Sequence, residues 1–313
     1  MKKSLLFIPL IAALVSCNQS QQNPHLRKVD LKILSPQGAP AVSMYNFVNG
    51  LTTVMNPATE LIPKFGDDDY DIIVAPAKGG LTKIVKANAN YQMAAVVTFG
   101  NFGLVSTGND SDGALNAGDK VLFFQPSDIP GMVFNYLYGD LGLETYSVDD
   151  VKLTASALNT GKVTIGTETI TLDYVYSAEP LISNLNKRSQ VKEWAADAFK
   201  EKSGGKRIIQ AAVFVNKNVG IEKVDNFLSL LEKDMRDAVS SPKKITTTFN
   251  LFGDEEEQQN TFGVTAASVY KAMKGHNGLG LGYLRAKDAQ EEINYFINDI
   301  LKSGLTLNEE VYY

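Results

Sequence analysis

The feature that most constrains this chain is a recurring unit: a short β-type run, a turn built from glycine and proline, then the start of a helix. Val29-Asp30-Leu31-Lys32-Ile33-Leu34-Ser35 alternates apolar and polar side chains, as a strand buried mainly on one face does, and Pro36-Gln37-Gly38-Ala39-Pro40 follows at once. Pro40 suits the first position of a helix over 41–48, where a missing N–H breaks no bond. The unit returns with a β-type run at Leu51 to Met55, a helical or loop piece at Glu60 to Lys64, and a compact apolar strand from Asp71 to Ala75. That strand runs into Pro76-Ala77-Lys78-Gly79-Gly80 and a helix over 81–87. Tyr91 to Val97, the turn Thr98 to Gly103 and the short run Leu104-Val105-Ser106 come next. After the loop formers Gly108 to Gly113, a second series opens with Lys120 to Phe124, the loop Gln125 to Gly131 and a helix over 132–141. Strands alternating with helices predict parallel βαβ units and an α/β fold.

Farther along, Val163 to Ile165 and Thr169 to Leu172 predict a small hairpin around Gly166-Thr167-Glu168. A helix is expected from Ala178-Glu179-Pro180 to Leu185, another over 191–202, then an apolar strand from Arg207 to Val215. Residues 224–239 place Phe227, Leu228, Leu230, Leu231, Met235 and Val239 on one helical stripe, and further helices are expected over 264–273 and 286–301. A chain of this length exceeds the usual size of a single core, so two lobes are expected. With the chain crossing between them near 103–108 and near 211–216, residues 27–105 and 216–313 form one lobe and 106–215 the other.

The first residues carry a different signal. Lys2 and Lys3 precede an apolar run from Leu5 to Val15, too short to span a bilayer, and Leu14-Val15-Ser16-Cys17 has the form of a lipoprotein cleavage box. Cys17 is the only cysteine, so no intramolecular disulfide can form, and its thiol is the expected lipid attachment point. Residues 18–26, polar and with nothing to bury, are expected to be a flexible tether. Without Lys2 and Lys3 the chain carries 28 basic against 35 acidic side chains, a net charge near −7 that disfavours nucleic acid and anionic lipid. An extracytoplasmic, lipid-anchored monomer is the expectation.

In open α/β sheets ligands bind beyond the carboxyl ends of strands, where helix starts leave N–H groups unpaired. Ser35-Pro36-Gln37-Gly38-Ala39 and Ser127-Asp128-Ile129-Pro130 sit at such places, one in each expected lobe. Gly38 permits close backbone approach, and the Ser35 and Ser127 hydroxyls can donate to a carboxylate, sulfonate, phosphate or amide oxygen. The blander alternative is that Ser127 and Asp128 only cap a helix and Gly38 only closes a turn. Ala77 and Gly79 leave the third loop open, and Lys78 is either an anion attractor or a solvated lysine. Thr98, Asn101 and Phe102 offer an amide and an aromatic to a planar ligand, or pack an interlobe joint. Glu179 is either a helix-start carboxylate or a ligand-contacting acid. Asp67-Asp68-Asp69 and Glu255-Glu256-Glu257 lack calcium-loop spacing and are expected in solvated loops.

The histidines are His25 and His276 alone, and no cysteine remains beyond Cys17, so a histidine–cysteine zinc site and a thiol nucleophile are excluded. No phosphate-cradling Gly-x-x-x-x-Gly-Lys-Ser/Thr and no Gly-x-Ser-x-Gly elbow occurs. No cofactor or metal is expected.

In order, the segments Ile33 to Ala41, Asp71 to Pro76, Thr98 to Ser106, Thr160 to Val163, Ala178-Glu179-Pro180-Leu181 and Gln210 to Val215 resemble the substrate-binding lipoproteins of ABC importers. The resemblance is to the type II group of nitrate, sulfonate, taurine and thiamine-precursor binders, and it covers nearly all of the chain after Cys17. It implies a two-lobed Venus-flytrap fold with two interlobe crossovers, capture of a small organic or anionic solute in the cleft, and delivery to a permease driven by an ATPase. It places Ser35, Gly38, Ala77, Gly79, Asn101, Ser127 and Glu179 at the cleft; the hairpin residues Gly166 to Asp173 depart from the family pattern before Glu179. An enzyme on the same scaffold, with Glu179 or Asp128 as its acid or base, and a surface adhesin are the alternative readings.

Overall fold

The computed structural model describes residues 26–27, 29–47, 52–55, 58–110, 113–184 and 190–313; the expected signal segment, Cys17, His25 and nearly all of the tether lie outside them. The first stretch runs β1 (Ile33–Pro36), α1 (Ala39–Ser43), β2 (Thr52–Met55), α2 (Ala58–Leu61), β3 (Ile72–Pro76), α3 (Ala77–Ala87) and β4 (Tyr91–Thr98). The middle holds β5 (Phe102–Ser106), β6 (Lys120–Phe124), α4 (Ile129–Tyr138), β7 (Glu144–Val148), α5 (Thr154–Thr160), the hairpin of β8 (Lys162–Ile165) and β9 (Glu168–Thr171), β10 (Tyr174–Ala178), β11 (Gln190–Trp194) and α6 (Ala195–Lys202). Then come β12 (Ala211–Asn216), α7 (Ile221–Ser240), α8 (Lys243–Phe249), α9 (Glu255–Phe262), α10 (Ala266–Met273), β13 (Leu281–Arg285) and α11 (Gln290–Asn294).

The strands form two sheets, β13-β4-β12-β3-β1-β2 and β11-β5-β10-β6-β7, with β8 and β9 paired to each other. Within the first, β1 runs parallel to β2 and β3; within the second, β6 runs parallel to β7 and β10. These are the βαβ units that the strand–turn–helix pattern requires. The strands that arrive from the other sheet are reversed: β12 is antiparallel to β3 and β4, and β5 to β10 and β11. A chain that leaves one sheet and returns through a second crossing re-enters at the end it left from, so it must run the opposite way.

The crossings lie earlier than the sequence suggests. Gly100, at φ +85°, turns the chain out of the first sheet before Asn101, and all of β5 joins the second sheet. β12 is inserted between β4 and β3, so the return crossing ends before Ala211, over Lys206–Gln210. The helix expected from Ala178 to Leu185 is not found among the described residues, since Ala178 ends β10 and a 3-10 turn follows over Ile182–Asn184, and the helix expected over 191–202 begins only at Ala195, after β11. Tyr174–Ala178 is wholly buried between β5 and β6, and a strand covered on both faces shows no alternation to read. Gln190–Trp194 pairs with the edge of β5 before α6 begins. Glu255-Glu256-Glu257 is the first turn of α9, where Asp254 and Glu257 form a capping box and the carboxylates meet the positive end of the helix.

One apolar core joins both sheets. It begins under the first sheet with Leu34, Ile73 and Phe214, passes through Ile293 and Phe296 of the C-terminal helical segment, and continues to Phe102, Phe124, Phe134 and Tyr176 of the second. Phe199 of α6 meets Phe296 edge to face, with centroids 5.6 Å apart. A separate cluster, with Val42, Phe47, Phe227, Leu231 and Phe249, fills the far side of the first sheet under α7 and α8. Phe214 meets Phe65 edge-on, and its ring occupies the space that a side chain on Gly80 of α3 would need, 2.2 Å from a Cβ there. Phe214→Ala is therefore expected to lower stability by about 3–5 kcal/mol and Gly80→Ala by about 1–3 kcal/mol, read from urea-unfolding midpoints with an unchanged far-ultraviolet spectrum.

Candidate functional site

The two crossovers touch each other, and one side chain holds them. Gln210 Oε1 accepts from the Gly100 N–H at 3.0 Å, while Gln210 Nε2 donates to Asn101 Oδ1 at 3.0 Å. Asn101 Nδ2 then donates to the Glu179 carbonyl at 2.9 Å, and the Glu179 N–H returns to the Asn101 carbonyl at 2.8 Å. The Thr98 hydroxyl accepts from the Ala211 N–H at 3.0 Å, the Ala77 N–H donates to the Gln210 carbonyl at 2.9 Å, and Asn277 Nδ2 donates to the Gly100 carbonyl at 3.0 Å. The amide expected at Asn101 is thus fully engaged in the joint between lobes.

The strand-end loops of the two sheets face each other beyond this joint. Lys78, in the first turn of α3, carries its Nζ to 3.5 Å from the Ser127 carbonyl and 3.3 Å from Met132 Sδ on the opposite lobe. Ser127 and Asp128 are exposed, and Asp128 Oδ1 accepts from the Ile129 N–H as the N-cap of α4. Gly38 follows β1, the strand parallel to and beside β3, so its loop opens on the same end of the sheet; it takes φ +88° and nothing lies within 4 Å of where its Cβ would be. Its N–H is held by the Phe262 carbonyl, and the Gln37 side chain donates to the Asn260 carbonyl, which fixes this loop to the end of α9.

Several residues singled out from the sequence point elsewhere. Ser35 is wholly buried in β1 and its hydroxyl donates to the Pro36 carbonyl, because this strand, expected to be buried mainly on one face, is covered on both. Phe102 lies inside the aromatic group with Phe124 and Tyr176 rather than facing the crevice. Ala77 is buried, and Gly79 faces Ile62, whose Cδ1 sits 2.7 Å from its missing Cβ. Trp194 ends β11 and packs on Gly103. Two surface cavities, one of about 620 Å³ beside Arg207 and Glu292 and one of about 500 Å³ between α8, α9 and α10, lie away from these loops.

Glu179 follows β10 and is 5 % exposed; no helix starts at it, only a turn into the 3-10 segment Ile182–Asn184. The Ser183 N–H and hydroxyl donate to its carboxylate at 2.9 and 2.8 Å. Burial pushes the carboxyl above its ordinary range, against the opposing pull of Ser183 and of Lys271. Around it, lobe-one groups reach lobe two: Lys271 Nζ lies 3.4 Å from Asn184 Oδ1, and His276 Nε2 lies 2.9 Å from Asp197 Oδ2. Among the described residues no group of histidine, cysteine and carboxylate side chains has the arrangement of a metal site. Gln210, Asn277 and Ser183 carry no sequence signal of this role, since each is defined by a partner at least 109 residues or one tight turn away; a glutamine just before an apolar strand is the one hint.

Gln210→Leu keeps the side chain's size but strands the Gly100 N–H and Asn101 Oδ1. We expect a loss of about 1–3 kcal/mol in urea unfolding, together with a broader interlobe distance distribution in solution scattering.

No protein-family model matches the chain, and no curated protein matches it. Solved structures do. A Parabacteroides distasonis ABC transporter protein superposes with a TM-score of 0.66 at 13 % identity, covering 91 % of this chain and 99 % of that one. The periplasmic aliphatic sulphonate binding protein SsuA of Escherichia coli gives 0.59 at 10 % identity, covering 91 % and 93 %. The alkanesulfonate-binding protein SsuA of Xanthomonas axonopodis pv. citri, solved with MOPS bound, gives 0.51 at 11 % identity, covering 86 % and 93 %. Two sheets joined by a paired crossover, matched over nearly their whole length, show that this chain has the two-lobed α/β fold of the type II periplasmic binding proteins.

Proposed function

We propose that the chain is the extracytoplasmic solute-binding component of an ABC importer, holding a small organic or anionic solute between its lobes and passing it to a permease and its ATPase without altering it. The observation that carries this reading is the reach of Lys78 across the crevice to the Ser127 loop, which brings strand-end loops of both sheets to one place. The lobes divide at the crossovers, over Phe99–Asn101 and Lys206–Gln210. Residues left to meet a solute are Gln37, Gly38, Lys78, Ser127 and Asp128. Closure about the crossovers exchanges crevice water for solute contacts, and only a solute with higher affinity for the closed form can drive it.

The test is a metabolite panel in thermal denaturation, joined to native mass spectrometry of the purified protein. A bound solute at about a hundred times its Kd adds about 2.7 kcal/mol, which raises the melting temperature by several degrees. A well-folded sample that carries no solute and responds to none at millimolar concentration rejects capture; turnover of a bound solute replaces it with an enzyme.

In the same reading the mature chain starts at Cys17 and is held at the membrane by lipid on that thiol, while the folded body works as a monomer. Among the described residues no helix is long and apolar enough to cross a membrane. Cells fed a clickable fatty acid should label the wild type and give no label with Cys17→Ser, which should appear in the soluble fraction. Equal labelling of both proteins would remove the anchor from the proposal.

A further inference from the structure

Beside the crossovers the lobes meet along a second line of contact, a seam between the 3-10 segment Ile182–Asn184 of lobe two and α10 with its following loop of lobe one. The Glu179 carboxylate lies in this seam. A Cβ on Gly275 would stand 3.9 Å from Glu179 Oε1 and 4.0 Å from the Ser183 hydroxyl, so main chain from lobe one covers the carboxylate directly. Strand-end turns ordinarily face water; this one is covered because the opposite lobe rests on it.

The charges around it are few. From α10 comes Lys271, the one cation acting on Glu179, with its ammonium at Asn184. From the loop after α10 come Lys274, over the Tyr270 ring, and His276, engaged with Asp197 of α6. The crossover side presents Asn101 and Phe102, which carry no charge. Among the described residues Glu179 makes no ion pair, and its carboxylate is held by Ser183 alone.

We propose that this seam is a proton-sensitive latch: with Glu179 protonated the lobes hold together at α10, and with Glu179 ionised they part. The sign follows from solvation. Covering an ionised carboxylate removes its water, whereas covering a neutral carboxyl removes much less. Parting the lobes restores that water, so the proton is bound more tightly in the closed arrangement than in the open one. Closure is therefore favoured as pH falls through the carboxyl's range and weakens as pH rises above it. The two Ser183 donors and Lys271 favour the ionised form and oppose the upward push of burial. The latch concerns the empty protein and does not depend on which solute enters the crevice.

The experiment is pulsed electron–electron distance measurement on the full chain carrying Cys17→Ser, with spin labels at Lys86→Cys on α3 and Lys152→Cys before α5, and no solute added. Between pH 7.5 and pH 4.5 the closed-to-open ratio should rise about threefold or more. Glu179→Gln, a neutral isostere, should hold the closed distance at both pH values. Ser183→Ala removes a donor to the ionised form and should move the midpoint to higher pH, while His276→Gln should leave the response in place. A wild type with no response overturns the latch, as does a response that survives Glu179→Gln, disappears with His276→Gln, or shifts downward or not at all with Ser183→Ala. Should Glu179→Gln fail to fold, the Ser183→Ala midpoint decides.

Discussion

The arrangement of the whole molecule hangs on one amide. Gln210 stands where the chain returns to the first sheet and grips both Gly100 and Asn101, where the chain leaves it. Two crossovers that were independent would let the lobes move in many directions. Bound side by side through Gln210, and continued through Asn101 to the end of β10, they form a single narrow joint with the few torsions of a hinge. Because these groups are largely withheld from water, each bond is worth keeping, and leaving any one unmade strands a buried donor or acceptor.

That joint is reinforced by apolar packing. The core that starts at Phe214 in the first sheet and reaches Phe134 in the second passes through Phe296, so the C-terminal helical segment belongs energetically to both lobes. Arg207 of the second crossover forks onto Glu292 of this segment, at 2.7 Å, and its guanidinium lies over the Phe99 ring of the first crossover. Motion about the hinge must slide this packing rather than separate it. Polar groups meet instead at the crevice and at the seam, where Lys78, Lys271 and His276 of one lobe reach partners on the other; such contacts can be made and broken in water at small cost.

Much of the fold was legible because its units are local. The turns at Pro36 to Pro40, Pro76 to Gly80 and Gln125 to Gly131 each announce a strand end and a helix start; the junctions fall there, but the helices begin earlier than expected, at Ala39, Ala77 and Ile129, so that Ala77 to Gly80 is the first turn of α3 and not a loop. Gly131 has no room for a side chain, since its Cβ would stand 2.5 Å from the Gln125 carbonyl. Less was legible of the site. Ser35 and Phe102 lie in the right segments but face the core, for β1 and β5 are covered on both faces and neither side of them opens on the crevice. β10 and β11 were invisible as strands because burial on both faces erases alternation in one, and edge pairing with β5 creates the other.

By itself the sequence determined what depends on near neighbours along the chain: the alternation of strand, turn and helix, the glycines that turns demand, two lobes' worth of chain, and the crossing of the chain between them. Which side chain meets which across the two lobes was decided only in three dimensions. Gln210 is separated from Asn101 by 109 residues, and Lys78 from Ser127 by 49. Pairings at such separations are selected by packing of the assembled sheets, and no pattern along the chain encodes them, because the free energy that fixes them exists only after the lobes have folded and met.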